Sequence, residues 1–256
     1  MILCLDVGNS LIVGGVFAAE ELELQFRMTT QGKPTSDELG VFVRSVLREN
    51  DIEPSRVRAV SICSVVPDLV HSLRNACLKY FDLEPFVLQP GVKTGLRIQY
   101  QDPREVGSDR IAAAIGATHR FPDSDLIVVD FGTATTVEVI TKRGEYLGGA
   151  ILPGLRISME ALFTKTARLP PVEILEPTSA VGRSTTASVQ SGLYFGALGA
   201  IRLLIERITE EAFGGERPTV ITTGGFSSLY RDESDFDHVI PDLILHGLRI
   251  VHTLNT

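Results

Sequence analysis

The chain has 256 residues, 44% of them hydrophobic, which is enough for one large domain or two fused lobes with cores of their own. Its formal net charge is -8 and its pI about 5.2, so the basic field that holds DNA or RNA is missing and no nucleic-acid partner is expected. Three cysteines, Cys4, Cys63 and Cys77, sit among apolar neighbours without a C-x-x-C pair, and read as reduced, buried thiols rather than nucleophiles.

Ile2–Leu5 is a short apolar run of the kind that forms a strand buried on both faces, and it meets Asp6 at once. A signal peptide needs a basic start and a longer apolar stretch, and no segment reads as long enough to span a bilayer, so a cytoplasmic protein with no membrane partner is expected. Asp6-Val7-Gly8-Asn9-Ser10 reads as a turn, Leu11–Phe17 as a second strand and Leu22–Met28 as a third, antiparallel one. Thr35 to Glu49 is a helix: Thr35 and Glu38 have capping-box spacing, and Leu39, Phe42, Val43, Val46 and Leu47 share one face. Val57–Ile62 is a strand, Pro67 starts a helix running towards Tyr80, Phe86–Leu88 is a short strand, and residues 90–102 form a loop.

A helix follows from Ser108 through Ala117, and Leu126–Val129 is another buried strand that ends at an aspartate, Asp130. Phe131-Gly132-Thr133-Ala134-Thr135-Thr136 makes a turn, Val137–Ile140 resumes the sheet, and Tyr146–Leu152 adds a strand that Pro153-Gly154 breaks. Leu169-Pro170-Pro171 is irregular. Val189–Phe213 is a long helix ended by Gly214-Gly215. Val220–Thr222 is a last strand before Gly224-Gly225, and a final helix closes the chain.

One internal echo stands out. Asp6-Val7-Gly8-Asn9-Ser10 and Asp130-Phe131-Gly132-Thr133-Ala134 both follow a short apolar strand and both lead into a second one. A carboxylate held at a strand end can face a metal ion or its water shell, and the glycine lets a phosphate approach the backbone. Consecutive N–H groups in such a turn can cradle an anion. Either turn alone is usually a hairpin. Two in matching contexts predict twin phosphate loops on opposite walls of a cleft, as in actin-, hexokinase- and Hsp70-like ATPases. Gly224-Gly225 reads equally as a strand-to-helix turn or as a loop against adenosine. No Walker motif, no G-x-G-x-x-G after the first strand, no nucleophile elbow and no metal-ligand spacing among the five histidines is present.

The segments Asp6-Val7-Gly8-Asn9-Ser10, Tyr100, Gly107-Ser108-Asp109-Arg110, Asp130–Thr136, Gly148–Gly154, Gly182-Arg183-Ser184-Thr185 and Gln190-Ser191-Gly192 occur in the order in which the type III pantothenate kinases carry them. The chain resembles that family along nearly its whole length. Arg183-Ser184 stands where Lys-Asn is more usual, and Val13 where a basic residue is. The resemblance implies an α/β fold of two duplicated ribonuclease-H-like lobes, with mixed sheets flanked by helices. The lobes are expected over 1–120 and 121–256.

It further implies transfer of a phosphoryl group from ATP to pantothenate, the first step of coenzyme A synthesis. Asp109 is then the general base. Tyr100, Gly107, Ser108, Arg110 and Thr185 join it around pantothenate, with Arg110 on the carboxylate. Asp6, Val7, Gly8, Asn9, Ser10, Leu11, Ile12, Val13 and Thr133 contact ATP, Asp6 serves a Mg²⁺ or similar divalent shell, and Asp130 holds K⁺ or NH₄⁺. A homodimer is implied, and the long helix after Thr185 is one candidate interface. The Asp109–Arg110 pair has a plainer reading too, because an acidic residue in a helix's first turn is favoured by the dipole alone. Two rivals compete: a sugar kinase or polyphosphate phosphatase of the same superfamily, and a non-catalytic transcriptional accessory relative. A degenerate relative is expected to lose an aspartate or a phosphate loop, and Asp6, Asp109, Arg110 and Asp130 are all present.

Overall fold

Side-chain alternation along the first strand decides how the N-terminal part of the molecule is built. The computed structural model describes residues 1–30 and 32–256. In it β1 (Ile2–Val7) sends Leu3, Leu5 and Val7 into one core, which leaves Cys4 and Asp6 on the opposite face of the sheet. β1 pairs antiparallel with β2 (Leu11–Ala18), and β2 with β3 (Glu21–Thr29). On its other side β1 runs parallel to β4 (Ala59–Ser64), which is flanked by β5 (Phe86–Val87). The order is β3-β2-β1-β4-β5. The core face is covered by α1 (Ser36–Glu49) and α2 (Pro67–Phe81), and the expected capping box of Thr35 and Glu38 is formed. A two-residue strand, β6 (Arg97–Ile98), lies within the stretch read as a loop.

The chain divides into two units, residues 1–120 with 243–256, and residues 121–242. The C-terminal helix therefore does not belong to the second lobe expected over 121–256. α6 (Leu243–Asn255) packs with α3 (Ser108–Arg120) and against β1, β2 and β4. The helices touch backbone to backbone, since a Cβ on Gly247 would collide with Ala112 and one on Gly116 with the Leu243 carbonyl. Ser61 Oγ on β4 donates to Leu248 O at 2.9 Å. This face of the sheet carries Cys4, Asp6, Ser61 and Cys63, and α6 supplies the apolar surface that closes it.

The second unit repeats the plan. β7 (Leu126–Phe131), β8 (Ala134–Ile140) and β9 (Glu145–Pro153) are consecutive antiparallel neighbours. β10 (Thr219–Thr223) runs parallel to β7, and β11 (His238–Val239) parallel to β10. The strands of this unit follow the order β9-β8-β7-β10-β11, which matches β3-β2-β1-β4-β5, so the expected duplicated lobes with mixed sheets are present. Ile127, Val129, Phe131, Val137 and Val220 face a core closed by α5 (Thr185–Phe213), which starts four residues before Val189, the expected first residue. Ser184 caps it, its Oγ accepting from Ala187 N at 3.1 Å.

Gly154 does not only break the chain. It is the N-cap of α4 (Leu155–Lys165), a helix the sequence did not announce because only Leu155 of its residues is buried. A second correction concerns α5, which is long and apolar enough by length and composition to cross a membrane. In this fold Val189, Leu193, Tyr194, Leu198 and Ile201 on one side of it belong to the core.

Candidate functional site

The two ladders place the aspartates alike. Asp6 and Asp130 are each the penultimate residue of a central strand, still paired on both sides: Asp6 with Val13 and Cys63, Asp130 with Thr136 and Thr223. A glycine follows each last residue and its N–H closes the turn, Gly8 N donating to Leu11 O at 2.9 Å and Gly132 N to Ala134 O at 3.1 Å. The aspartates therefore belong to the sheet rather than to the turn, and their orientation is set by strand registers.

In the first unit, alternation puts Asp6 and Cys63 on the face that α3 covers, and α3 begins at Ser108-Asp109-Arg110. The Cys63 thiol donates to Asp6 Oδ1 at 3.2 Å. Burial pushes the Asp6 carboxyl up to about 7, the nearby Asp109 charge adds to this, and the thiol's hydrogen bond offsets part of it. Burial likewise raises Cys63 well above a free thiol, reinforced by Asp6 and Asp109. The start of α3 is fixed to the end of β4: Ser64 N donates to Ser108 Oγ at 3.1 Å and Ser108 Oγ to Ser64 O at 3.2 Å. Asp109 Oδ1 accepts from Arg110 N at 2.8 Å. A side chain on Gly107 would overlap that same oxygen, so glycine is required there for the Asp109 carboxylate to sit as it does. Arg110 is buried, 8% exposed. Cys63 is the reduced, buried thiol expected from its apolar neighbours. Its placement beside Asp6 depends on the β1–β4 register, which no local pattern reveals.

Not every residue of the expected nucleotide loop can use its side chain. Val7 and Ile12 point into the apolar core, so only their backbone is available. Asn9 and Leu11 are exposed, and Gly8, Ser10 and Val13 half-buried. Tyr100 is half-buried in the stretch after β6.

In the second unit, Gly224 has φ +89°, and a Cβ there would strike Asp130 Oδ1 and the Phe131 backbone. The Gly-Gly loop is thus pressed against the aspartate. Phe226 N donates to Phe131 O at 3.1 Å and Ser227 Oγ to Gly224 O at 2.8 Å. Thr223 Oγ1, next to Asp130 in register, is fully buried without a hydrogen-bond partner among the described residues. An oxygen left so, beside a carboxylate, fits a cation whose shell takes oxygens. Thr133 is exposed at the turn. Thr185 is exposed in a groove of about 1050 Å³ between α4 and α5, together with Ser158, Lys165, Arg183 and Ser188. No group of three or more His, Cys, Asp or Glu side chains able to hold a metal occurs among the described residues.

Twin mixed sheets, each with an aspartate at the end of its central strand and a glycine turn after it, define the duplicated-lobe fold of actin- and hexokinase-like phosphotransferases. Solved structures agree on that fold. A protein named for the Baf family of transcriptional activators, from Campylobacter jejuni, is 21% identical with a TM-score of 0.64, covering 99% of this chain and 98% of its own. A ROK family glucokinase from Streptomyces griseus, in complex with glucose and AMPPNP, is 14% identical with a TM-score of 0.52 over 98% and 99%.

The chain belongs to the type III pantothenate kinase family, whose model matches residues 2–207. A type III pantothenate kinase of Legionella pneumophila (strain Corby) is 57% identical over 256 residues, all of both chains. One from Elusimicrobium minutum is 48% identical over 250 residues, 98% of this chain and 97% of its own.

Proposed function

We propose that this chain is an ATP-dependent pantothenate kinase that makes 4′-phosphopantothenate, with Asp109 as its general base. The observation that carries the reading is the placement of Asp109 at the start of α3, pinned through Ser108 and Ser64 to the strand beside Asp6. A primary alcohol is a poor nucleophile. As its oxygen bonds to the γ-phosphorus and the bond to the ADP oxygen breaks, the hydroxyl proton passes to the Asp109 carboxylate. An ionised Asp6 is costly, first because it is buried and second because the Asp109 charge is near, and its raised carboxyl reflects both. Asp6 would hold a divalent cation, which would relieve that cost and offset charge on the triphosphate.

The remaining assignments follow the family's motifs. Asp6 to Val13 and Thr133 serve ATP, with Val7 and Ile12 acting through the backbone. Tyr100, Gly107, Ser108, Arg110 and Thr185 serve pantothenate. The buried guanidinium of Arg110 suits the carboxylate, because a planar fork meets two oxygens at once. Asp130 would hold K⁺ or NH₄⁺, and the buried Thr223 hydroxyl supports this. The protein works in the cytoplasm as a homodimer. The support for a dimer is α5. Gly192, Gly196 and Gly199 have no atom within 4 Å of a would-be Cβ, and Phe195 (39%) and Leu203 (53%) are exposed beside them. Bare glycines inside a helix cost about 0.8–1 kcal/mol each relative to alanine, a cost offset where a second backbone packs close.

A coupled ADP-release assay tests the reading, with pantothenate set against a panel of sugars in K⁺, NH₄⁺ and Na⁺ buffers. Turnover with pantothenate in K⁺ and NH₄⁺, and little in Na⁺, is expected. Sugar turnover with inert pantothenate refutes the substrate, and equal rates in all three buffers refute the cation's role.

A further inference from the structure

A turn that cradles phosphate needs its N–H groups aimed at the ligand, so its carbonyls must be turned away and held there. In the first unit something outside the turn does this. Thr30, directly after β3 and only 7% exposed, makes two hydrogen bonds to it. Its Oγ1 donates to Gly8 O at 2.8 Å, and its backbone N donates to Ser10 O at 3.0 Å. In a planar trans peptide the C=O and the following N–H point in opposite directions. Fixing the Gly8 and Ser10 carbonyls towards Thr30 therefore directs the N–H groups of Asn9 and Leu11 the other way, as a pair.

The side chain matters more than usual at this place. Gly8 has no Cβ to restrict it and Asn9 is exposed, so the Gly8–Asn9 peptide is one that gains from the anchor Thr30 supplies at Gly8 O. The second unit solves the same problem by other means. There a Cβ on Gly154 would run into both Gly132 O and Thr133 O, so the start of α4 is packed directly on the carbonyl side of the turn. Both turns have that side occupied, one by a helix start and one by a single threonine.

We infer that Thr30 is a positioning residue for the nucleotide, presetting the Gly8–Leu11 turn for a phosphate by tethering two of its carbonyls. This rests on the assignment of that turn to ATP. The hydroxyl contributes one tether and the backbone the other, so the side chain can be tested alone. Thr30→Val keeps the shape and the N–H but loses the hydroxyl, whereas Thr30→Ser keeps the hydroxyl and loses the methyl. Binding of Mg²⁺·ADP to the full chain is measured by calorimetry, and KM for ATP, KM for pantothenate and kcat by steady-state kinetics.

Thr30→Val is expected to weaken Mg²⁺·ADP binding and raise KM for ATP by about five- to tenfold, the value of one hydrogen bond, with KM for pantothenate unchanged. Thr30→Ser is expected to stay within about twofold of the parent. Unchanged nucleotide affinity in Thr30→Val overturns the inference, and so does a serine variant as impaired as the valine one, which would make the threonine a packing residue. A parent protein that binds no adenine nucleotide overturns the ATP assignment itself. Those outcomes separate the two claims, because binding is read without pantothenate.

Discussion

Replacing Asp6 by asparagine should stabilise the nucleotide-free protein while destroying its activity. The reason is the cost of an ionised Asp6. Burial first, and the Asp109 charge second, lift its carboxyl from 3.8 to about 7. In the unfolded chain the group returns to its ordinary value. The native state therefore binds more protons than the unfolded state between those limits, and stability falls as pH rises from about 4 to about 7. Below that window both states are protonated and the penalty vanishes; above it the penalty is complete. A rise of that size is worth at most about 4 kcal/mol, and relaxation of the surroundings brings it to about 2–4. Asparagine fills the same space, still accepts from Cys63, and carries no charge. Thermal unfolding without nucleotide or divalent cation, followed at pH 8 and at pH 4, reads the difference. The variant should melt about 5–10 °C higher at pH 8, and nearly with the parent at pH 4. A variant less stable than the parent at pH 8, or a difference independent of pH, refutes the reasoning.

Other consequences are checked separately. Asp109→Asn should keep the fold by circular dichroism and lower kcat by about two to four orders of magnitude, the usual reach of a lost general base; near-normal turnover removes Asp109 from that role. Gly224→Ala forces a Cβ onto Asp130 and the Phe131 backbone at a left-handed φ, and should cost about 1–3 kcal/mol in thermal unfolding and abolish the response to K⁺. Gly196→Ala discriminates between a free and a covered α5 face: a free face gains about 0.8–1 kcal/mol, whereas a covered one loses stability and the dimer loosens in light scattering.

Local chemistry made much of this legible in the sequence. Thr35 and Glu38 announced a helix start because capping is settled within four residues, and the two Asp-x-Gly turns announced themselves because a strand end and a glycine are adjacent in the chain. What could not be read depends on distant partners. α6 joins the first unit because Gly247 lets it approach Ala112, more than a hundred residues earlier. α4 leaves almost no apolar signature because nearly all of it is exposed. Cys63 reaches Asp6 through strand register. Thr30 serves Gly8 and Ser10 only because β3 returns it to the turn, and a threonine after a strand carries no mark of that.

Whether phosphate travels from ATP to the primary hydroxyl of pantothenate is the point on which the account turns. Mass spectrometry of a reaction holding ATP, Mg²⁺, K⁺ and pantothenate answers it directly. The predicted result is one singly phosphorylated pantothenate for each ADP released, abolished in Asp109→Asn. ADP released while pantothenate stays unmodified would contradict it.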